Sequence, residues 1–593
     1  MTENPLDQAL SRTERIAVVG SPSSTSGMEV DVLGKAAEKQ LIGAFVFFKY
    51  IQEGCAHCGL GQISEVSLRN VWAEDATMKG LIRLKGQVDP VTGRQDVHTA
   101  KLSVGAVFSV DGSKFTQSNL GTVPPTGTTL HLVDDEFLNT LLEPFLNELV
   151  YLGKTYGSRT LLPMWFRHFG RGPGGLGEAY HLGVFGKTGS GKSFLSKMVL
   201  LAYAKHTKMS IIVIDPQGEF TKNSRPDGIL GTELSKLKCP CELHGVGDIV
   251  LPGTNEDLFK RILISSRFLQ GIGVISEDNL DRGANAIVNE LWEMLRRNHE
   301  IQNPKRWQSI ERAHKRECFD AIWRCLGDPN WLVQVYSGLE YRQRVMQAVQ
   351  TVSVEDKWEL WSKVTRLFSG DQRGRSVLLS KIAQMVSDGR NGRNVVVIDL
   401  SRESVPDYLF WNDEIQIEVL NELFEQLTRE AEKQYREGLT CNTLVILDEA
   451  HRFAPRGQPI GQPEEITPAM LLKHTLIDCV KTTRKYGLGW MFISQTLSGL
   501  DQEILNQLRV YLIGFGLGWG SEYRSLRELI GGNEEAIRLY QGLRDPQSSI
   551  GDRAFPFMAL GPVSPLSFSG SPLFFNALEF PKEFGKVNVR LFK

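Results

Sequence analysis

The stretch GVFGKTGSGKSF, Gly183–Phe194, decides the class of fold. Within it Gly186, Lys187, Thr188, Gly189, Ser190, Gly191, Lys192 and Ser193 fit GxxxxGK[ST], a loop whose backbone N–H groups close around phosphates. An apolar run, HLGVF, leads into it and a helix-like run, FLSKMVLLAYAKH, leads out, which is the strand–loop–helix setting that the pattern requires. The glycines let the backbone approach a phosphate chain, Lys192 can neutralise β and γ oxygens, and the Ser193 hydroxyl can ligate Mg²⁺ at the helix N-terminus. Phe194 completes the stretch expected to contact nucleotide.

Outward from this loop the rhythm is strand, turn, helix. SIIVIDPQGEF supplies a second buried strand, and the pattern resumes much later with NVVVIDLS, the amphipathic IQIEVLNELFEQLTREAEKQY, NTLVILDEAH, LGWMFISQT and VYLIGFG. Such alternation predicts a parallel sheet with helices on its faces. Five hydrophobic strands, two before an interruption and three or more after it, are expected to share that sheet. The interruption, residues 256–391, is nearly strandless, and AIVNELWEMLRR sets Ile287, Leu291, Met294 and Leu295 along one helical face. It reads as a helical insertion.

Residues 15–150 differ in kind. Short runs such as RIAVVG, GAFVFFKY, GLIRLKGQV and TTLHLV alternate with SPSSTSG, DPVTG and TVPPTG, which predicts a small antiparallel β-barrel. The expected order is therefore a polar tail (1–14), the barrel (15–150), an α/β core in two parts (151–255 and 392–548) around the insertion (256–391), and an extended C-terminal brace (549–593). FGRGPGGLG, Phe169–Gly177, marks a Gly-rich joint before the nucleotide loop.

A formal net charge of −2 over 593 residues excludes a uniformly basic nucleic-acid binder, so any polyanion must meet a local patch. The longest early apolar run, LIGAFVFF, is well short of the ~20 residues that cross a bilayer. With eight cysteines and no hydrophobic leader after Met1, the expectation is a cytoplasmic protein without a membrane segment. Cys55–Cys58 (CAHC) and Cys239–Cys241 (CPC) are too far apart, and too unlike paired CxxC knuckles, to read as more than ordinary thiols.

The run Leu444–Leu447 ends in Asp448-Glu449. At a strand end beside a phosphate loop, one carboxylate can hold Mg²⁺ while its neighbour polarises an attacking water. Neither NKxD nor LSGGQ occurs, which removes guanine recognition and transport ATPases and leaves hydrolysis of ATP by a RecA-like core.

The nucleotide loop, IDPQGEF, VILDEAHRFAP and TTRKYGLGWMFISQT together resemble the HerA branch of the HerA/FtsK ring ATPases. That family joins an N-terminal barrel to a RecA-like core with a helical insertion and a C-terminal extension. The resemblance implies that Lys192 and Ser193 are the Walker A pair, Asp448 the Walker B aspartate, Glu449 the catalytic glutamate, and Arg484 an arginine finger for a neighbouring subunit. It further implies that Gln495 senses the γ-phosphate and that Asp215 and Glu219 lie near the nucleotide, although a plain DPQG turn accounts for Asp215 almost as well. The chain departs from the family pattern in RGQPIGQPEEITP, residues 456–468.

What the resemblance implies for function is a homohexamer driven by ATP and Mg²⁺ along duplex DNA, serving end processing or antiviral defence. A separate nuclease or sirtuin-like effector chain would act with it, since no nuclease or NAD-hydrolase motif is present here. Arg452, Arg456, Lys222 and Arg225 are candidate phosphate contacts, as is the basic, aromatic stretch 296–316. Two other expectations stand beside the motor: an ATP-dependent assembly platform that activates an effector, with translocation incidental, and a protein-translocating or conjugation-type motor.

Overall fold

A computed structural model describes residues 4–88, 91–92, 94–297, 310–369, 376–388, 392–457, 467–548, 550–551, 553–567 and 570–592. Near the N-terminus seven strands form one antiparallel sheet: β1 (Arg15–Val19), β2 (Met28–Val32), β3 (Phe45–Gln52), β4 (Cys55–Arg69), β5 (Val97–Asp111), β6 (Lys114–Ser118) and β7 (Thr129–Leu132). The order β2-β1-β7-β3-β4-β5 closes through a further β2–β5 pairing into a six-stranded barrel, with β6 on the flank of β5. Closure explains the unbroken apolar run in β3. Val46 and Phe48 fill the barrel interior, whereas the alternate Phe45 and Phe47 point outward into the core shared with the rest of the chain.

The remaining strands are β8 (Leu149–Thr155), β9 (Leu161–Trp165), β10 (His181–Phe185), β11 (Ser210–Asp215), β12 (Cys241–Gly245), β13 (Ile249–Val250), β14 (Val377–Leu378), β15 (Val395–Asp399), β16 (Thr443–Leu447), β17 (Leu488–Ser494), β18 (Leu508–Gly514), β19 (Phe555–Leu560) and β20 (Leu573–Ala577). Eleven of them make a sheet of order β12-β15-β11-β16-β17-β10-β18-β19-β20-β8-β9. From β12 to β18 all neighbours are parallel, and beyond β18 all are antiparallel. The short β13 and β14 pair separately.

Both faces of the parallel part are covered, as its continuous apolar strands require. In β11, Ile212 and Ile214 pack into one core and Ile211 and Val213 into the other. On the first face lie the helices between Glu256 and Ser387, where Ile287 and Leu291 are buried and Trp361 is fully enclosed, its indole N–H donating to the Ala313 carbonyl at 2.8 Å. The sheet is wider than the five strands expected. β12 adds an edge whose alternating, partly polar CELHG carries little apolar signal, and the tail contributes β19 and β20 as full sheet members.

The loops that follow the parallel strands of the nucleotide site leave the same edge of the sheet. Register pairs Phe185 with Ser494, Asp215 with Asp399, and Ile214 with Leu447, so the loops after β10, β11, β15, β16 and β17 converge at the carboxyl ends of parallel strands. Among the described residues no helix is long and apolar enough to cross a membrane.

Candidate nucleotide site

The loop after β10 turns on three glycines in the left-handed half of φ, Gly186 at 150°, Gly189 at 83° and Gly191 at 90°. Side chains there are excluded by space as well as by backbone: a Cβ on Gly186 would meet Ser190 Oγ at 2.6 Å, and one on Gly191 the Phe555 ring at 2.8 Å. The helix Lys192–Ala204 then starts with its free N–H groups facing the loop. Ser190 Oγ is buried there without a partner. Lys192 folds back, its Nζ donating to the Lys187 carbonyl at 3.1 Å, and burial holds its ammonium below the usual lysine range, opposed by the carboxylates Glu449, Asp448 and Glu219. A cradle of backbone donors, an unpartnered hydroxyl and a partly buried cation matches the chemistry of a phosphate chain.

Across the cleft, Asp448 and Glu449 follow β16 as the sequence predicts. Burial, reinforced by the neighbouring Glu449 charge, pushes the Asp448 carboxyl up to about 7. Glu449 adopts φ 50°, a left-handed conformation costing of order 1–3 kcal/mol for a non-glycine residue. The turn sends its side chain toward β17, where Glu449 Oε1 accepts from Gln495 Nε2 at 2.8 Å, and Gln495 Oε1 accepts from Thr188 Oγ1 at 3.0 Å. A continuous line therefore runs from the nucleotide loop through Gln495 to Glu449. On its far side Glu449 faces His451 at 3.5 Å, and His451 Nδ1 is 3.2 Å from Ser494 Oγ.

Asp215 and Glu219 divide between two tasks. Asp215 is buried and spends both carboxylate oxygens on its own turn, accepting from the Gly218 and Thr221 N–H groups at 2.8 Å each and from Thr221 Oγ1 at 2.9 Å. The turn thereby presents Glu219, whose Oε2 accepts from Ser193 Oγ at 3.0 Å and whose Oε1 pairs with Lys197 Nζ at 2.9 Å. Lys197 is 2% exposed and lies 5.5 Å from the centre of the Phe194 ring and 5.8 Å from that of Phe220. Oxygen donors from Ser193, Asp448 and Glu219 fit a hard divalent cation such as Mg²⁺.

Arg484 stands apart from all of these. It sits just before β17, its carbonyl accepts from the Ala179 N–H at 3.0 Å just before β10, and its guanidinium is exposed, 3.7 Å from Glu178. That is the amino edge of the sheet. With five residues in β10 at ~3.3 Å each, its own nucleotide loop is about 16 Å away. Of the other cations named from sequence, Lys222 pairs with Glu403 at 2.9 Å and Arg456 donates to Ser525 Oγ at 3.0 Å. Residues 298–309 of the basic stretch and 458–466 of RGQPIGQPEEITP lie outside the described residues. Among the described residues no three His, Cys, Asp or Glu side chains gather as a metal site, and the cysteines are free thiols.

Sequence reasoning missed Lys197, His451, Gln547 and Phe555. Lys197 is four residues beyond Ser193 and so on the same helical face, a detectable signal. Gln547 and Phe555 pack against Gly189 and Gly191 from a distant part of the chain, and Phe555 lies 6.3 Å from the Phe194 ring. No local pattern announces such a contact.

Comparison with known proteins agrees with the resemblance read from the motifs. Residues 179–411 match the family described as helicase HerA, central domain. A probable helicase of Methanocaldococcus jannaschii is 23% identical over 347 residues, and the DNA double-strand break repair helicase HerA of Pyrococcus furiosus is 22% identical over 346. Each match covers 56% of this chain and 56% of the relative, so the chain spans about half the length of the curated relatives it matches. Among solved structures, VirB4 of Thermoanaerobacter pseudethanolicus aligns with 73% of this chain and 97% of its own at 16% identity and a TM-score of 0.39. By this match the chain is similar, over residues 179–411, to the central domain of the HerA helicases.

Proposed function

We propose that the chain is an ATP-driven DNA translocase of the HerA type with a RecA-like core, working as a homohexamer and serving a separate nuclease or other effector chain. The observation that carries the reading is the line Thr188–Gln495–Glu449, which ties the phosphate loop to a carboxylate. In this reading the loop N–H groups and Lys192 hold the triphosphate, and Ser193 and Asp448 hold Mg²⁺. The ion, when bound with nucleotide, offsets the charge of the phosphates. Glu449 accepts the proton of the attacking water, and Gln495 orients that water while reporting whether the γ-phosphate is present.

The placement of Arg484 supports an oligomer. An exposed guanidinium at the amino edge, about 16 Å from its own loop by strand length, has no role at that loop and is free to reach the nucleotide of an adjacent subunit. Hydrolysis then depends on subunit contact, as a ring motor requires.

The test is ATP hydrolysis by the purified protein with and without linear duplex DNA, together with its mass in solution. Hexamers whose turnover rises with DNA support the motor. Hexamers indifferent to DNA favour the assembly platform, and monomers that hydrolyse ATP at full rate contradict both.

A further inference from the structure

At the amino edge of the sheet, opposite the nucleotide loop, lies a recess of about 810 Å³ whose lining, among the described residues, holds eight lysines and arginines and one side-chain carboxylate, Glu148. The chain as a whole carries a net charge of −2, so this is a local concentration and not a general bias. We propose that the recess is a second phosphate-binding site, which seats the phosphodiester backbone of a nucleic-acid strand.

Part of the lining is committed to the fold. Arg393 donates to the Ala204 and Lys205 carbonyls at 3.2 and 3.3 Å and also to that of Leu237, and Lys236 pairs with Glu233 at 2.6 Å. Lys205 donates to the Glu148 carbonyl at 2.7 Å, and burial pushes its ammonium down to about 8. The rest is available. Arg171, Lys208 and Lys238 are exposed, and no carboxylate among the described residues pairs with them. Arg167 stacks on Trp165 with Glu148 as a distant partner at 3.6 Å, and its Nε is buried without a hydrogen bond. Unpaired cations around one cavity repel each other, and an anion with several oxygens relieves that repulsion while filling the guanidinium donors.

The cavity is also braced. Asn442, at φ 54°, accepts from the Phe169 and Gly170 N–H groups at 2.8 and 3.0 Å and donates to the Lys208 carbonyl at 2.8 Å, which fixes the Gly-rich loop carrying Arg171 against the segment carrying Lys208. This left-handed asparagine joins the two cationic segments and so acts as a positioning residue. The same helix that begins at Lys192 ends at the recess, where Arg393 holds its last carbonyls. The choice of a polynucleotide over a free phosphate ester rests on the translocase reading; the charge, the cavity and the bracing do not.

The experiment measures binding of a fluorescein-labelled linear duplex to the full chain by anisotropy across a salt series, for the wild type and for Arg171→Glu/Lys208→Glu/Lys238→Glu. Nucleotide affinity of the triple variant verifies that it is folded. The expected result is at least a tenfold loss of duplex affinity and a shallower dependence on salt, because fewer counterions are released. Equal affinity and slope in the two proteins would overturn the proposal and leave the translocase reading standing. Amine-reactive labelling of Lys208 and Lys238 separates the sources of phosphate. Protection by the duplex supports a strand. Protection by pyrophosphate but not by duplex, with no duplex binding by the wild type, would retain a phosphate site and reject both the strand and the translocase, and protection by neither would overturn the site itself.

Discussion

Gln495 Nε2 lies 2.8 Å from Glu449 Oε1, so the amide that touches the nucleotide loop through Thr188 also restrains the carboxylate across the cleft. In the proposed mechanism a γ-phosphate in the loop would compete for the Gln495 amide and so free Glu449 to face water. Replacing Glu449 by Gln removes the proton acceptor but preserves shape and hydrogen bonding. The expected outcome is unchanged ATP affinity with turnover reduced on the order of 10²–10⁴-fold. Gln495→Ala is expected to lower kcat by about 10²-fold with little change in KM. Steady-state hydrolysis and direct nucleotide binding check both, and wild-type turnover in Glu449→Gln would remove Glu449 from the chemistry.

Lys192 is a partly buried cation facing the carboxylates Glu449, Asp448 and Glu219, held by one carbonyl of its own loop. Lys192→Ala leaves the buried Asp448 and Glu449 without their cation and the phosphate cradle without its charge. Calorimetry with ATP should detect no binding at concentrations that saturate the wild type. An unaltered affinity would show that the triphosphate binds elsewhere.

Asp215 supports the site from beneath by holding the turn that presents Glu219. Its Asn variant cannot accept all of the N–H and O–H donors now directed at two carboxylate oxygens. The expected destabilisation is about 1–3 kcal/mol, with activity of the folded fraction reduced less than in the Glu449→Gln variant. Chemical denaturation beside specific activity separates the two effects, and a stable but wholly inactive Asp215→Asn protein would give Asp215 a direct role.

His181 opens β10 and is almost completely buried, accepting from the Trp490 N–H at 3.1 Å through Nδ1 and facing the Val480 carbonyl at 2.9 Å through Nε2. Burial pushes its pKa down to about 4. The unfolded chain therefore takes up this proton near pH 6.5 while the folded chain resists until near 4, so stability is lost as pH falls through that window, by up to about 3 kcal/mol. His181→Gln should be less stable at pH 8 yet lose less on acidification from 6.5 to 5. Parallel slopes of denaturation midpoint against pH in the two proteins would contradict this.

What the sequence discloses and what it hides follow from range. GKTGSGKS is local: the glycines, lysine and serine that define the motif lie within eight residues, and an apolar strand run and a helical run flank it. The same holds for the end of β16, where an unbroken apolar run stops at Asp448. By contrast β12 is an edge strand of alternating CELHG, and β19 and β20 become sheet members only because β18 and β8 offer free edges far away in the chain. Gln547 and Phe555 reach the glycines of the loop for the same reason. Asp215 was legible as either a turn or a nucleotide contact because both uses begin with an aspartate at a strand end; only the positions of Gly218 and Thr221 separate them.

Arg484 gives the sharpest test of assembly, because its place at the amino edge makes it useless to its own subunit's loop and available to another's. Arg484→Ala alone is expected to bind ATP and assemble while hydrolysing on the order of 10³-fold more slowly. Lys192→Ala alone is expected to be inactive because its loop is empty. Mixing the two before assembly should restore part of the lost activity, since a Lys192→Ala subunit still offers Arg484 to the occupied loop of an Arg484→Ala neighbour. The recovery must depend on mixing ratio and pass through a maximum, which contamination by a single active species does not produce. If co-assembled rings, verified by mass, recover no activity at any ratio, Arg484 does not act across the subunit contact, and the dependence of hydrolysis on assembly must be carried by another residue of the neighbour.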